Sequence, residues 1–201
     1  MAETMTASQQ PMSDGQIDNA VDKLRAALRK HRSEFDSDVV QEVLGVKNLG
    51  MELLAPFRKL VSEMIRIVRV RVDRSRTPEE VLNATGCRQY TDRNVVKTMP
   101  RGEGEESEVV FFRLGRYVSD DELEREYDLR GLKAADPYSL AAVNEADPAF
   151  ANDYPNSTHW KDADGGWCYT AFAQWFGSRN VSVNLRAADW IDDWWHAGLH
   201  K

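Results

Sequence analysis

Residues 180 to 186 alternate without a break. Val181, Val183 and Leu185 are apolar, and Asn180, Ser182, Asn184 and Arg186 between them are polar. A period of two sends successive side chains to opposite faces, which suits a half-buried strand and no helix. Trp167 to Phe176 runs up to this stretch without glycine or proline, and Gly177-Ser178 joins the two. A Gly-Ser pair between two strand patterns reads as a two-residue hairpin loop. That loop sets Phe176 opposite Arg179, Trp175 opposite Asn180 and Phe172 opposite Val183. One side of the hairpin then carries Cys168, Thr170, Phe172, Val181, Val183 and Leu185, an apolar core face.

The other side mixes rings, small residues and polar groups: Trp167, Tyr169, Ala171, Ala173 and Trp175 beside Asn180, Ser182, Asn184 and Arg186. All six tryptophans lie between Trp160 and Trp195. Large aromatics carry the most burial per residue, so the core is expected here. Two readings of the mixed face stand side by side. As an exposed platform, it would bind a ligand ring through Trp167, Tyr169, Trp175, Asn180 and Arg186. As a covered face, it would lie under a helix that Ala171 and Ala173 let approach closely. The covered face is preferred, because rings are more often buried than displayed.

The rest of the chain supplies helices and further strands. Residues 1–14 read as a polar tail and 15–64 as a helical segment. There Ile17, Val21, Leu24 and Leu28 recur at helical spacing, and Leu49, Leu53, Phe57, Leu60 and Met64 do the same after Asn48. These helices could pack on the sheet or serve as a surface for another protein or a second copy. Residues 65–201 read as one α+β domain. Its strands fall near 66–73, 108–114, 158–161, 167–176 and 180–186, with Trp194 to Leu199 as a further edge. Helix starts are marked by Thr77-Pro78-Glu79-Glu80, Ser119-Asp120-Asp121-Glu122 and Asp136-Pro137, each a capping residue followed by proline or glutamate. Residues 87–107 read as loop. The fold class is therefore α+β: an N-terminal helical segment, then a mostly antiparallel sheet of four or five strands with short helices packed on it.

Charge is unevenly spread on a chain of net charge −7. Residues 58–101 hold eleven Lys or Arg against five acids, and residues 102–166 hold six against sixteen. Arg66, Arg69, Arg71, Arg74 and Arg76 concentrate the positive charge on and after a strand. Arginine forks suit phosphate, which makes nucleic acid one candidate partner. The preferred reading is internal, with these arginines pairing to the acidic segment. The two cysteines form no CxxC motif, there is no signal-peptide pattern and no run of membrane-spanning length, so a reducing, cytoplasmic setting is expected.

Several phrases carry a resemblance: Arg74-Ser75-Arg76-Thr77-Pro78-Glu79-Glu80, Asp136 to Phe150, His159-Trp160-Lys161-Asp162 and Gly166-Trp167-Cys168-Tyr169. Over roughly Ile17 to Lys201 the chain resembles a family of small bacterial proteins from candidate-phylum genomes. The resemblance implies a free-standing bacterial protein and brings no activity, ligand or catalytic residue with it.

Local constellations are weak. Asp162-x-Asp164-Gly165 starts like a calcium loop but lacks the glutamate at the twelfth position, and reads as a hairpin turn. His196 and His200 are four apart, but Gly198 interrupts them and no third ligand follows, so no metal site is assigned. His159 with Cys168 could form a nucleophile and base, yet Cys168 falls on the core face, so no catalytic residue is assigned. The acids from Glu103 to Asp128 sit on a loop and a solvated helix face. No cofactor motif is present. The expectation is a non-enzymatic binding or protein-interaction protein. The alternatives are a nucleic-acid-associated protein using the arginine strand and, more distantly, a small Cys/His hydrolase.

Overall fold

The computed structural model describes residues 12–201. The chain divides into two compact units, one reaching to Pro56 and the other running Phe57–Lys201. The tail expected over 1–14 lies, up to residue 11, outside the described residues, and Asp14 already begins the first helix.

The first unit holds α1 (Asp14–Lys30), a 3₁₀ turn at Arg32–Glu34, α2 (Ser37–Leu44) and the start of α3 (Leu49–Glu63). Ser13 caps α1 through a reciprocal bond with Gln16, and the Asp36 carboxylate caps α2. Neither α1 nor α2 buries a single residue. Pro56 sits inside α3, the position at which the two units divide.

The second unit is built on an eight-stranded sheet, with β1 (Ile65–Arg71), β2 (Arg88–Thr91), β3 (Glu106–Arg113), β4 (Leu132–Ala134), β5 (Asn156–Lys161), β6 (Trp167–Trp175), β7 (Ser178–Leu185) and β8 (Trp195–His200). Its order is β1-β3-β8-β5-β6-β7-β2, with β4 added to the far end of β8. Pairing is antiparallel except for β2 with β7 and β5 with β8. The helices are α4 (Pro78–Ala84), α5 (Arg93–Lys97), α6 (Asp120–Leu129), α7 (Pro137–Ala146) and α8 (Phe150–Asp153). Thr77 with Glu80 and Ser119 with Glu122 form the capping boxes read in the sequence, and Asp136 caps α7.

Strand alternation assigns the two faces. Val109, Phe111, Cys168, Phe172, Val181, Val183, Trp195 and Ala197 pack with α4, α5, α7 and α8. Val110 and Phe112 point the other way and pack with Leu123 and Tyr127 of α6 and with Trp190. On the mixed face of the hairpin Ala171 and Ala173 are buried, at 3% and 4% exposure, while Trp175 on the same face is 46% exposed.

Four expectations need correction. The sheet has eight strands rather than four or five. The segment 87–107 contains β2 and α5, both too short to show a period. The chain end is no edge, since β8 lies between β3 and β5, where Trp195 and Ala197 are buried. The hairpin register is shifted by two: Trp175 pairs with Ser178, Ala173 with Asn180 and Phe172 with Val181. The loop is Phe176-Gly177, both at positive φ (51° and 75°). Two successive left-handed residues make the turn whose twist matches the strands, and this outweighs the strain at Phe176. A shift of two keeps every side chain on its face, so the face assignment survives.

Candidate functional site

Strand β8 pairs with β3 along one edge and divides its other edge between two strands. At its start Trp195 and His196 pair with Asn156 and Ser157 of β5, and at its end Gly198, Leu199 and His200 pair with β4. Beyond Ser157, β5 therefore parts from β8, and a cleft of about 780 Å³ opens beside it. It is lined by His159, Trp160 and Lys161 of β5, by Lys133 and Ala134 of β4, and by Glu124 and Trp167 among others. Strands that part between layers form crevices of the kind that hold ligands.

His159 is the centre of this region. Its side chain is fully buried, with Nδ1 2.6 Å from Asp120 Oδ1 and Nε2 2.7 Å from Glu124 Oε1. Both carboxylates come from α6, four residues apart and hence on one face of the helix. The Trp167 ring stacks on the imidazole at 4.5 Å and 13°, and Lys161 Nζ lies 4.4 Å from the centre of the Trp167 ring. Burial alone would lower the pKa of His159. The hydrogen bonds to Asp120 and then to Glu124 overcome it and raise the pKa, which favours the imidazolium. Burial works in the opposite direction on Asp120, and the bonds from His159 and from the Trp190 indole keep its pKa below the ordinary value.

The network continues inward. Arg186 lies 3.8 Å over the Trp190 ring, with Nε 3.9 Å from Asp120 Oδ2. His196 is buried beneath, with Nδ1 3.3 Å from Ser157 Oγ. Burial, together with the nearby positive charges of His159 and Arg186, pushes its pKa down to about 3, so His196 is neutral. Glu124 is the outward end, with 46% of its side chain exposed. The arrangement sets the buried Asp120–His159 pair, whose hydrogen bonds favour the charged forms, behind a carboxylate that reaches the cleft.

The hairpin residues singled out in the sequence separate here. Trp167 lines the cleft. Tyr169 packs edge-on against Trp190 at 5.8 Å, and Arg186 stacks over Trp190 at its side. Asn180 is buried and donates to the Ser178 carbonyl. Trp175 is 46% exposed at the hairpin tip, eight residues from Trp167 along β6. The structure brings Tyr169 and Arg186 together, but Trp167 and Trp175 lie at opposite ends of the strand.

The arginine strand is matched by acids. Arg69 Nε is 2.7 Å from Glu108, Arg71 3.6 Å from Glu106, and Arg76 2.8 Å from Glu145 and 3.2 Å from Asp73. Arg66 lies on the opposite face of β1, over the rings of Tyr154 and Trp195. Arg74 is largely buried and ties the 101–107 segment to α7. It donates to Asp136, Ser107 and Ser139 and to the carbonyls of Arg101 and Gly104. Gly102 sits against this carboxylate at φ 68°, where a Cβ would lie 2.2 Å from Asp136 Oδ2. The pairing with residues 102–166 is the internal reading made from the sequence.

The Cys/His pairing is overturned by the register. Trp160 pairs with Cys168 and His159 with Tyr169, so His159 and Cys168 project from opposite faces. Both nitrogens of His159 are engaged by carboxylates, and burial raises the pKa of the Cys168 thiol. Among the described residues no group of three His, Cys, Asp or Glu side chains could hold a metal ion, and no helix is long and apolar enough to cross a membrane.

The Asp120–His159–Glu124 set was missed because its partners are 35 and 39 residues apart in the chain. The signal available was the spacing of Asp120 and Glu124 on a capped helix, read as a solvated face. Comparison with protein-family models, with curated proteins and with solved structures finds no match for this chain.

Proposed function

We propose that this is a binding protein whose ligand is a small polar molecule seated in the cleft where β5 parts from β8. The observation that supports the reading is Glu124: a half-exposed carboxylate at a 780 Å³ opening, held from behind by a buried imidazolium. Buried charge is costly unless paired, and charge-coupled groups with shifted pKa values concentrate at functional sites. Lys133 and Lys161 line the same cleft as Glu103, Asp121 and Glu124. A ligand that both donates and accepts hydrogen bonds matches that lining, with Trp167 as its flat contact. The resemblance to small bacterial proteins and a cytoplasmic setting are part of the same proposal and rest on the sequence alone.

The experiment is native mass spectrometry of the chain isolated gently at low salt, beside its Trp167→Ala and Glu124→Gln variants. A small mass retained by the wild type and lost from both folded variants is the expected result. A bare wild-type chain that also shows no thermal shift against a panel of amino acids, sugars and nucleosides overturns the proposal.

A further inference from the structure

Helix α1 has an apolar stripe with nothing buried. Ile17, Val21, Leu24 and Leu28 are 45–52% exposed. Their spacing is four, three, four, the spacing of the seam positions in a two-helix coiled coil. A seam of this kind has two flanks, and the residues on them decide what can lie opposite. On one flank are Asp18 and Arg25, and on the other Ala20 and Ala27. Along the helix the charges are sorted. Asp14, Asp18 and Asp22 fall in the first half, and Lys23, Arg25, Arg29 and Lys30 in the second.

We propose that α1 is a dimerisation element and that its partner is α1 of a second copy, running antiparallel. Turned end for end, the seam superposes on itself. Ile17 meets Leu28 of the other copy, and Val21 meets Leu24. In that register one flank brings Asp18 against Arg25 of the second chain, twice over by symmetry. The other brings Ala20 against Ala27, small residues that let the backbones approach. The acidic half of each helix then lies along the basic half of the other. A parallel pair would set Asp14, Asp18 and Asp22 beside their own copies and the four cations beside theirs, which like-charge repulsion disfavours. Arg25 pairs with Asp22 within its own helix at 2.5 Å and would exchange that partner for Asp18 of the second copy. A 17-residue helix is only about 26 Å long. The exposed Val39, Val43, Met51 and Leu53 of α2 and α3 in the same unit provide further apolar surface for a stable pair.

The test is sedimentation velocity of the full chain over a range of concentrations. Wild type is expected to dimerise, and Leu24→Glu to remain monomeric with the far-ultraviolet spectrum of a folded protein. Asp18→Arg and Arg25→Asp should each weaken the dimer by about tenfold, since two symmetric pairs are lost and repulsion replaces them. The double exchange Asp18→Arg with Arg25→Asp should recover most of that loss, because the pair is rebuilt with reversed polarity. A wild type that stays monomeric, or a dimer indifferent to Leu24→Glu, overturns the proposal. A dimer that Leu24→Glu breaks but the double exchange fails to rescue overturns the antiparallel register.

Discussion

The two faces of the sheet both bury side chains but lean toward different chemistry, one toward apolar contact and the other toward charged and hydrogen-bonded pairs. On one, Val109, Phe111, Phe172, Val181 and Val183 are all at 0% exposure against short helices. On the other, His159 is held by Asp120 and Glu124 of α6, His196 packs against Trp190 and reaches Ser157, and Arg186 stacks over Trp190 beside Asp120. Apolar contact is non-directional and tolerates slippage, so it favours collapse without fixing one partner. The polar face works by matched pairs. Asp120, Glu124, His159 and the Trp190 indole are joined by hydrogen bonds, and losing one strands its partner. The apolar face therefore carries most of the stability. The polar face specifies how α6 sits and presents Glu124 to the cleft.

The largest break in that comparison is Phe111→Ala. Phe111 is fully buried and its ring lies 4.8 Å from Phe150. Its truncation should cost about 3–5 kcal/mol in denaturant unfolding, and a loss under about 1.5 kcal/mol would move the stabilising core elsewhere. Asp120→Ala should cost about 3 kcal/mol by leaving His159 and Arg186 without their shared carboxylate. This second loss should depend on pH. The folded pKa of Asp120 is lowered, so its contribution fades as pH falls below the ordinary 3.8. That of His159 is raised above 6.5, so its contribution fades as pH rises through the folded value. The gap between wild type and Asp120→Ala should be widest between those limits. A gap independent of pH would mean that the pair is not ionised.

His196 gives a sharper contrast within the polar face. It is buried neutral with a pKa near 3, against 6.5 when exposed. The unfolded chain takes up its proton first, so stability should fall by about 1.4 kcal/mol per pH unit below 6.5 and level off near 3. Urea unfolding of wild type and His196→Asn at pH 7 and 4.5 reads this slope. The variant should start less stable, having lost the bond to Ser157, and should show the smaller acid loss. Equal slopes would show that His196 is not the group excluded from protonation.

What the sequence revealed follows from the range of the forces involved. The two faces of the hairpin were legible because alternation is a local property, and they survived a register error of two residues. The register itself was not legible. It depends on Phe176 accepting a left-handed backbone, which only the twist of the paired strands makes favourable. The capping boxes at Thr77 and Ser119 are legible in the sequence, because a cap is satisfied within four residues. β8 looked like an edge because its neighbours, β3 and β5, are far away in the chain. The His159 site required knowing that α6 lies over β5, which no local pattern states.

The smallest effect expected belongs to the arginines of β1. Arg69 and Arg71 have side chains 61% and 90% exposed, and both face glutamates on β3. Exposed pairs contribute about 0–1 kcal/mol, so the double change to alanine should barely move the unfolding midpoint. The pairing also leaves this face nearly neutral. Fluorescence anisotropy with single-stranded nucleic acid at low salt should then show little binding. A salt-sensitive affinity that falls in the double variant would mean that phosphate displaces Glu106 and Glu108. That result would make the outer face of β1 a binding surface, and the comparison would then contrast an interior built from matched charges with an exterior whose charges exchange partners.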